Sequence, residues 1–238
     1  MANATRNIAA TKAPRKNKKY SIVIPAAGAG TRMLTYGAKS LIKLQSGHTV
    51  LSKQIGLIDK IFPQYEIVLV TGFQAERVMN AAPNHIIQIQ NPYYEDTNVV
   101  YSIGLGLRAA TTDNVIILYG DLVFNYEALR VPFDHESALI VCDTMKADEV
   151  GCVINNGMIH QVFYGLPNKW AQISYFTGSA LAELRKQAWD IGNKKCFAFE
   201  IINNMLDKNI PIRALTPKNA HAIDIDTSKD IERANQIK

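Results

Sequence analysis

The sequence contains little cysteine, no long apolar run and no paired histidines, and each of these gaps excludes a class of protein. Its three cysteines are an odd number without the short spacing of metal ligands, so we expect neither a disulfide framework nor a zinc site. The five histidines include no i, i+4 pair, which a helical zinc site needs. No apolar run approaches the roughly 18 residues of a membrane-spanning helix, so we expect no membrane partner. With 238 residues, 47% of them hydrophobic, the composition is that of an ordinary globular chain.

Acidic side chains are missing from residues 1–19, where six of the 26 Lys and Arg residues lie. The other residues carry 20 basic and 21 acidic side chains, so the formal net charge of +5 belongs to this segment. Because the segment also lacks an apolar period, we expect a disordered basic arm, with a polyanion-binding arm as the alternative. It has no apolar centre of the kind found in secretory signals. We therefore expect a cytoplasmic protein without a specific nucleic-acid partner.

Apolar patterning divides residues 20–132 into alternating strands and helices. Continuous apolar runs predict buried strands, and apolar residues at helical spacing predict helices. Strands are predicted at Tyr20–Pro25, Glu66–Thr71, His85–Ile89 and Val115–Tyr119. Helices are predicted at Leu51–Phe62, Ala75–Asn80 and Val99–Ala110. This alternation predicts βαβ units and a parallel sheet that is covered on both faces.

Residues 133–238 are predicted to contain more strands, including a hairpin around Asn156-Gly157, a pair that favours a tight turn. The predicted strands are Ala138–Asp143, Gly151–Ile154, Met158–Tyr164, Gln172–Phe176, Ile212–Leu215 and Ala222–Ile225. The predicted helices are Ser179–Asp190, Cys196–Lys208 and a last helix that Ser228 caps, with no capping box. We expect both halves to share one mixed but mostly parallel α/β sheet flanked by helices. Residues 20–238 would then form a single domain.

A glycine-rich segment, Ala26-Ala27-Gly28-Ala29-Gly30-Thr31-Arg32, follows the first predicted strand. Glycines at such a place let backbone N–H groups approach a phosphate. The dinucleotide fingerprint would need glycine at Met33, and the P-loop pattern is interrupted by Ala38, so both fit poorly. A glycine turn without a ligand is the alternative. Two cations seven residues apart, Arg32 and Lys39, could instead hold a triphosphate and stabilise its charge.

This loop, followed by Ala38-Lys39-Ser40-Leu41, resembles the signature of the nucleotidyltransferases with a Rossmann-like fold. That family includes sugar-1-phosphate nucleotidylyltransferases and phosphocholine-type cytidylyltransferases, and it usually has proline where this chain has Ala38. Other segments resemble the family in the same order: Val70-Thr71-Gly72-Phe73, Gly120-Asp121 and Ile223-Asp224-Ile225-Asp226-Thr227. A pattern typical of the choline-phosphate and phosphonate cytidylyltransferase branch is resembled by Asn91-Pro92-Tyr93, Thr97-Asn98 and Tyr101-Ser102.

The resemblance implies a Mg²⁺-dependent transfer of a nucleoside monophosphate with release of pyrophosphate. Arg32 and Lys39 would be the catalytic cations that hold the triphosphate. Asp121 would bind the metal with Asp224 or Asp226, which we expect to point the same way in a strand; turn-forming aspartates are the alternative. The nucleotide would contact Ala26, Ala27, Gly28, Ala29, Gly30, Thr31, Gln74, Asn98 and Ser102.

The predicted function is transfer of CMP from CTP to a small phosphorylated or phosphonate acceptor such as phosphocholine or 2-aminoethylphosphonate. The alternatives are a sugar-1-phosphate nucleotidylyltransferase and a nucleotide-binding module without catalysis. Residues 20–132 would bind the nucleotide, and residues 133–238 would bind the acceptor. Aromatic side chains in both halves could hold a quaternary ammonium group through cation–π attraction, or they could be ordinary core. A homo-oligomer is compatible with the sequence.

Overall fold

The first half of the chain folds as alternating strands and helices, as its apolar pattern predicts. The computed structural model describes residues 18–142 and 149–237. The strands are β1 (Tyr20–Ala26), β2 (Tyr65–Thr71), β3 (Ile87–Gln90) and β4 (Asn114–Leu118). The helices are α1 (Val50–Ile61), α2 (Ala75–Ala81) and α3 (Val99–Ala109), with two short 3₁₀ helices at Thr31–Tyr36 and Lys39–Leu41.

The described residues after β4 contribute seven more strands and four α-helices. The strands are β5 (Leu122–Phe124), β6 (Ala138–Cys142), β7 (Val150–Asn155), β8 (Met158–Tyr164), β9 (Lys169–Thr177), β10 (Arg213–Leu215) and β11 (Ala222–Asp224). The helices are α4 (Tyr126–Leu129), α5 (Gly178–Trp189), α6 (Ala198–Asp207) and α7 (Ser228–Ala234). The pattern did not predict β5 and α4, which are three and four residues long and therefore show no period.

Strands of both halves lie in one sheet, in the order β3-β2-β1-β4-β9-β6-β10-β8-β7. Parallel pairing joins the first four strands and joins β6 to β10. Antiparallel pairing of β9 with both β4 and β6 connects the two halves. The predicted α/β class, a mixed sheet with flanking helices, is confirmed. A separate two-stranded antiparallel sheet joins β5 to β11.

Alternate residues of β1 enter different layers of the core, as the two-residue period of a strand requires. Ile22 and Ile24 pack in the layer that contains α1, whereas Val23 packs in the layer that contains α3. Each fully buried side chain of this size stabilises the fold by roughly 1.5–3 kcal/mol. In α3, a Cβ at Gly106 would lie 2.4 Å from Cγ1 of Val23, so glycine there allows the helix to approach the sheet.

The parallel arrangement places the ends of β1 and β4 side by side at one edge of the sheet. The backbone N–H of Gly120 donates to the carbonyl of Pro25 at 3.1 Å, which joins the segment after β4 to the end of β1. A Cβ at Gly120 would lie 2.5 Å from the Cβ of Ala26. Glycine at this position therefore lets Asp121 lie directly beside the glycine-rich loop. Open α/β sheets bind their ligands at such an edge.

Most of the predicted basic arm, residues 1–17, lies outside the described residues. Its last two positions are described, and Lys18 contacts the folded body. The Lys18 ammonium donates to the hydroxyl of Tyr175 at 2.7 Å and to the carbonyl of Asp134. Within the two described ranges, no helix has the length and apolar character needed to span a bilayer.

The last helix begins differently from the prediction, because Thr227 rather than Ser228 is its N-cap. Asp230, which is buried, accepts hydrogen bonds from the backbone N–H of Thr227 at 2.9 Å and from its hydroxyl at 2.8 Å. The backbone N–H of Asp226 also donates to this carboxylate, at 3.3 Å. The prediction that no capping box forms is therefore wrong. Shifting the N-cap by one residue moves Asp230 to the third helical position, from which its carboxylate reaches back.

We predict that Asp230→Asn lowers the free energy of unfolding by about 1–2 kcal/mol, because charge-assisted bonds to the helix N-terminus are lost. Urea unfolding followed by circular dichroism measures this change. Glu232→Gln is the matched control, since it removes the same charge from an exposed position of the same helix. Equal losses in the two variants would show that the effect is one of net charge and not of capping.

Candidate active site

Gly30 of the glycine-rich loop packs against the side chain of Lys39. Gly30 has a φ of 55°, in the left-handed region that favours glycine. A Cβ at this position would lie 2.7 Å from Cε of Lys39. Glycine is therefore needed here for two reasons: the left-handed backbone conformation and the space that the Lys39 side chain occupies.

The ammonium group of Lys39 forms ion pairs with two carboxylates. Its Nζ lies 2.9 Å from Oδ2 of Asp121 and 2.5 Å from Oδ1 of Asp226. The backbone explains why the carboxylates meet, because the N–H of Ile225 donates to the carbonyl of Asp121 at 3.1 Å. Burial lowers the pKa of Lys39, but the attraction of Asp121 and the hydrogen bond and charge of Asp226 outweigh it and leave the pKa above its ordinary value. Lys39 is therefore charged at any physiological pH.

Asp224 forms a second charged cluster with Lys169. The Lys169 Nζ, which is almost fully buried, lies 3.4 Å from Oδ1 of Asp224 and 2.6 Å from Oε1 of Glu149. Burial raises the pKa of Asp224, Lys169 opposes that rise, and the charges of Asp121 and Asp226 add to it. Asp224 ends β11 and Asp226 lies beyond it, so the two aspartates contact different lysines although both face one cavity. The sequence pattern gave no indication of Lys169.

Two cavities border the Lys39 cluster. The smaller has a volume of about 190 Å³, and every residue that lines it falls between Pro25 and Asp121. The larger has a volume of about 840 Å³ and is lined by residues of both halves. Gly30, Lys39 and Asp121 belong to the walls of both cavities. The cluster therefore stands where a ligand in one cavity would meet a ligand in the other.

Most of the residues predicted for the site line these cavities. Those at the smaller cavity are Ala26, Ala27, Gly28, Gly30, Lys39, Asn98, Ser102 and Asp121. Those at the larger cavity include Ala29, Thr31, Asp224 and Asp226.

Arg32 and Gln74 are the two predicted site residues that line neither of these cavities. Arg32 is exposed on the 3₁₀ helix that follows the loop. The side chain of Gln74 accepts from the backbone N–H of Ala38 at 3.2 Å and from Arg77 at 2.8 Å. Gln74 therefore supports the segment that leads into Lys39, and the nucleotide contacts of both residues stay predictions.

Aromatic side chains form part of the wall of the larger cavity. Its aromatic lining residues are Phe73, Tyr94, Tyr119, Tyr164, Trp170, Phe197 and Phe199. The rings of Phe197 and Phe199 are stacked with centroids 5.6 Å apart, and Tyr164 meets Phe199 edge-on at 5.4 Å. Phe197 and Tyr164 are each 45% exposed, so these rings lie at the surface of the cavity and not in the core. The sequence pattern missed Phe197 and Phe199, since apolar residues at the start of a helix resemble ordinary core.

Ser40, which lines the smaller cavity, is another residue whose role the sequence pattern did not indicate. It is 2% exposed, and its hydroxyl has no hydrogen-bond partner within residues 18–142 and 149–237. A buried hydroxyl without a partner costs about 1–3 kcal/mol. Because Ser40 follows Lys39 directly and lines the cavity, a bound ligand would give this hydroxyl its partner.

The donor set fits a magnesium ion that is shared with a substrate. No group of three metal-ligating side chains occurs in the part of the chain that the structure describes. However, Asp121 and Asp226 converge on one position, which the ammonium of Lys39 occupies. Two carboxylates that complete their coordination with water and phosphate oxygens are the usual protein site for Mg²⁺. The residues therefore suit a metal that arrives with a phosphorylated ligand better than an all-protein metal centre.

A protein-family model matches the part of the chain that contains most of these residues. Residues 22–187 match the MobA-like NTP transferase domain. This range of the chain includes the glycine-rich loop, Lys39 and Asp121. The chain belongs to this family and is a nucleotidyltransferase. No curated protein matches the sequence.

Solved structures share the fold at low identity. The CTP:phosphocholine cytidylyltransferase of Streptococcus pneumoniae superimposes with a TM-score of 0.76 at 14% identity, covering 92% of this chain and 99% of that one. The inositol-1-phosphate CTP transferase of T. maritima gives 0.71 at 16% identity, with 92% and 97% covered. The nucleoside-diphosphate-sugar pyrophosphorylase of Vibrio cholerae RC9 gives 0.68 at 13% identity, with 90% and 99% covered. These likenesses extend over nearly the whole chain.

We predict that Ser40→Ala has opposite effects on stability and on nucleotide binding. The free protein should be more stable by about 1 kcal/mol, because an unpartnered buried hydroxyl is removed. The affinity for the preferred triphosphate should fall several-fold, because the ligand loses a hydrogen bond. Urea unfolding and calorimetric titration measure the two effects. Ser52→Ala serves as a control, since Ser52 is exposed on α1. A destabilised variant with unchanged affinity would contradict a ligand-binding role.

Proposed function

We propose that this nucleotidyltransferase is a cytidylyltransferase. It would transfer CMP from CTP to a small phosphorylated or phosphonate acceptor that also carries an amine or quaternary ammonium group, with release of pyrophosphate. The observation that carries the proposal is the Lys39–Asp121–Asp226 cluster, which stands at the wall shared by the two cavities. Charged groups at that junction are what a transfer between two bound substrates requires.

The smaller cavity suits the nucleoside of the triphosphate. Its lining includes residues 26–28 of the loop and residues at the start of α3. The triphosphate would then extend past Gly30 towards Lys39, where loop N–H groups and the ammonium favour negative charge. This assignment makes residues 20–132 the nucleotide-binding half.

In the reaction, an oxygen of the acceptor attacks the α-phosphorus, the bond from that phosphorus to the bridging oxygen breaks, and pyrophosphate leaves with the bonding electrons. The protein mainly positions the reactants and stabilises charge. Lys39, which stays protonated, would move from the carboxylates to the phosphate oxygens and donate hydrogen bonds to them. Asp121 and Asp226 would then hold Mg²⁺, which supplies Lewis-acid stabilisation of the phosphate oxygens when it is bound.

The larger cavity suits an acceptor with a cationic end. Its wall combines aromatic faces at Tyr164, Phe197 and Trp170 with the carboxylates of Glu95 and Asp224. Aromatic faces and carboxylates both attract ammonium groups. Aromatic faces are the usual binding partners of quaternary ammonium groups. Phosphocholine carries a quaternary ammonium group and 2-aminoethylphosphonate a primary one. In both, two carbons separate the nitrogen from the phosphoryl end. This assignment makes residues 133–238 the main part of the acceptor-binding half.

A sugar-1-phosphate is the second candidate acceptor, because a cavity of about 840 Å³ is large for a small amine and includes the polar Gln172. A nucleoside-diphosphate-sugar pyrophosphorylase with the same fold also supports it. In that case the aromatic wall would stack against a sugar ring. The two candidates differ in the triphosphate as well as in the acceptor, so one experiment separates them.

We predict that, among CTP, UTP, dTTP, ATP and GTP, only CTP gives efficient turnover with phosphocholine or 2-aminoethylphosphonate. Pyrophosphate release is measured for each pair with Mg²⁺ present, and mass spectrometry identifies the product. Glucose-1-phosphate is included as the acceptor of the second candidate. Efficient turnover of another triphosphate with the sugar phosphate would reject the cytidylyltransferase. Tight binding of CTP without turnover of any pair would indicate a non-catalytic module.

We predict that Lys39→Met lowers turnover by about 100-fold or more, because the charge that stabilises the phosphates is lost. The same change should tighten Mg²⁺ binding in the absence of nucleotide, since the ammonium no longer lies between the two carboxylates. Asp121→Asn should lose turnover and weaken metal binding, and EDTA should abolish wild-type activity reversibly. Calorimetry measures the metal affinity.

Lys43→Met is the matched control for Lys39→Met, because Lys43 is an exposed lysine four residues further along the chain. It should keep wild-type turnover and metal affinity. Unchanged turnover in Lys39→Met or Asp121→Asn would contradict the assignment of the site.

A further inference from the structure

A buried glutamine of α1 donates hydrogen bonds to the segment that carries Asp121. Gln54 is 1% exposed and occupies a core position of the helix, one turn before the buried Ile58. Its amide nitrogen lies 2.8 Å from the carbonyl oxygen of Tyr119 and 2.7 Å from that of Leu122. Gln54 lines neither of the two cavities at the site, so it would act on a ligand there only through the residues that it contacts.

The chemistry of these two bonds fixes the orientation of the amide. Carbonyl oxygens only accept hydrogen bonds, so the amide nitrogen of Gln54 has to face both of them and gives one proton to each. The amide oxygen then has no hydrogen-bond partner within residues 18–142 and 149–237. A buried oxygen without a partner is unfavourable, and an apolar side chain of similar length would avoid that cost. Helix packing alone therefore does not account for glutamine at this position.

The two carbonyls lie at the two ends of the turn that presents Asp121. This turn runs from Tyr119 to Leu122, and the N–H of Leu122 closes it by donating to the carbonyl of Tyr119 at 3.2 Å. That distance is at the long end for a hydrogen bond of this kind, and both bonds from Gln54 are shorter. One side chain thus joins both ends of the turn to α1.

The middle of the turn is attached to other parts of the fold. The N–H of Gly120 donates to the carbonyl of Pro25 in β1, and the carbonyl of Asp121 accepts from the N–H of Ile225 after β11. With the two bonds from Gln54, the backbone on both sides of the Asp121 side chain is connected to three different elements. Such precision matters at an active site, because a displacement of about 1 Å can reduce a rate roughly a hundredfold.

We infer that Gln54 is a positioning residue, which holds the turn so that the Asp121 carboxylate is fixed for Mg²⁺ binding and nucleotidyl transfer. The inference rests on the proposed function, because it assumes that Asp121 binds the metal. Hydrogen-bonding partners of metal-binding groups typically contribute roughly 10–100-fold to metal affinity or activity. In this protein the partner binds the backbone on both sides of the carboxylate and not the carboxylate itself.

Gln54→Met removes both bonds and fills a similar space in the core. This variant should weaken Mg²⁺ binding, measured by calorimetry, and lower kcat, measured by pyrophosphate release, by about tenfold or more each. The KM for CTP at saturating Mg²⁺ should change less than about threefold, because the glycine-rich loop keeps its contacts. Gln187→Met is the matched control, since it removes a buried amide of α5 that lines neither cavity, and it should keep wild-type values.

A double-mutant cycle separates positioning from a general loss of structure. In an Asp121→Asn background, which lacks the carboxylate, Gln54→Met should weaken Mg²⁺ binding no further. A purely structural role of the glutamine would instead produce the same additional loss in both backgrounds.

Hydrogen exchange in wild-type protein that is free of metal and nucleotide tests the turn without any substitution. The amides of Gly120 and Leu122 should exchange at least about tenfold more slowly than that of Gly47, whose N–H closes an exposed turn. In Gln54→Met, the amide of Leu122 should lose most of this protection.

Wild-type metal affinity and kcat in Gln54→Met would overturn the inference. So would an equal further loss in the Asp121→Asn background, or exchange of the turn amides in wild-type protein as fast as that of Gly47. If Asp121→Asn alone weakens metal binding in these cases, the proposed function stands. If Asp121→Asn keeps wild-type metal affinity, the proposed role of Asp121 is wrong, and the inference fails with it.

Discussion

The two ion pairs of Lys39 hold together parts of the chain that are far apart in sequence. Lys39 lies 82 residues before Asp121 and 187 residues before Asp226, and its ammonium contacts both. Three segments, those that follow β1, β4 and β11, meet at this cation. The sheet brings the first two together through its parallel strands, and the small β5–β11 sheet brings the third. The single ammonium lies between two partly buried carboxylates and offsets the repulsion between them.

This constraint explains the small residues around it. Glycine at position 30 gives the loop its left-handed turn and leaves room for the lysine stem, and Gly120 allows the two strand ends to touch. Neither position tolerates a Cβ without displacing a neighbour. These glycines therefore provide the space that the Lys39 side chain and the two strand ends occupy.

Much of the fold could be predicted from local pattern because its strands are continuous apolar runs. β1, β2 and β4 are buried on both faces, and burial leaves such runs in the sequence. The short β5 and α4 have no such period, and their place depends on β11, which lies about 100 residues later in the chain. Thr227 and Ser228 are both good caps, and only the position of Asp230 decides between them. The loop, Lys39 and Asp121 carry a recognisable signature. Ser40, Phe197 and Phe199, by contrast, are recognised only by the cavities that they line, and Lys169 only by its ion pair with Asp224.

The pairing of β11 with β5 also sets the point in synthesis at which Asp226 can join Lys39. Every residue that lines the smaller cavity lies at or before Asp121, so this part of the chain is synthesised early. Asp226 joins Lys39 only after β11 has been made, when more than a hundred further residues have left the ribosome. Contacts between residues so distant close late, because the entropy of a long loop must first be overcome. A nascent chain thus contains every residue of the smaller cavity's wall before it contains Asp226, and Lys39 gains its second carboxylate partner only afterwards.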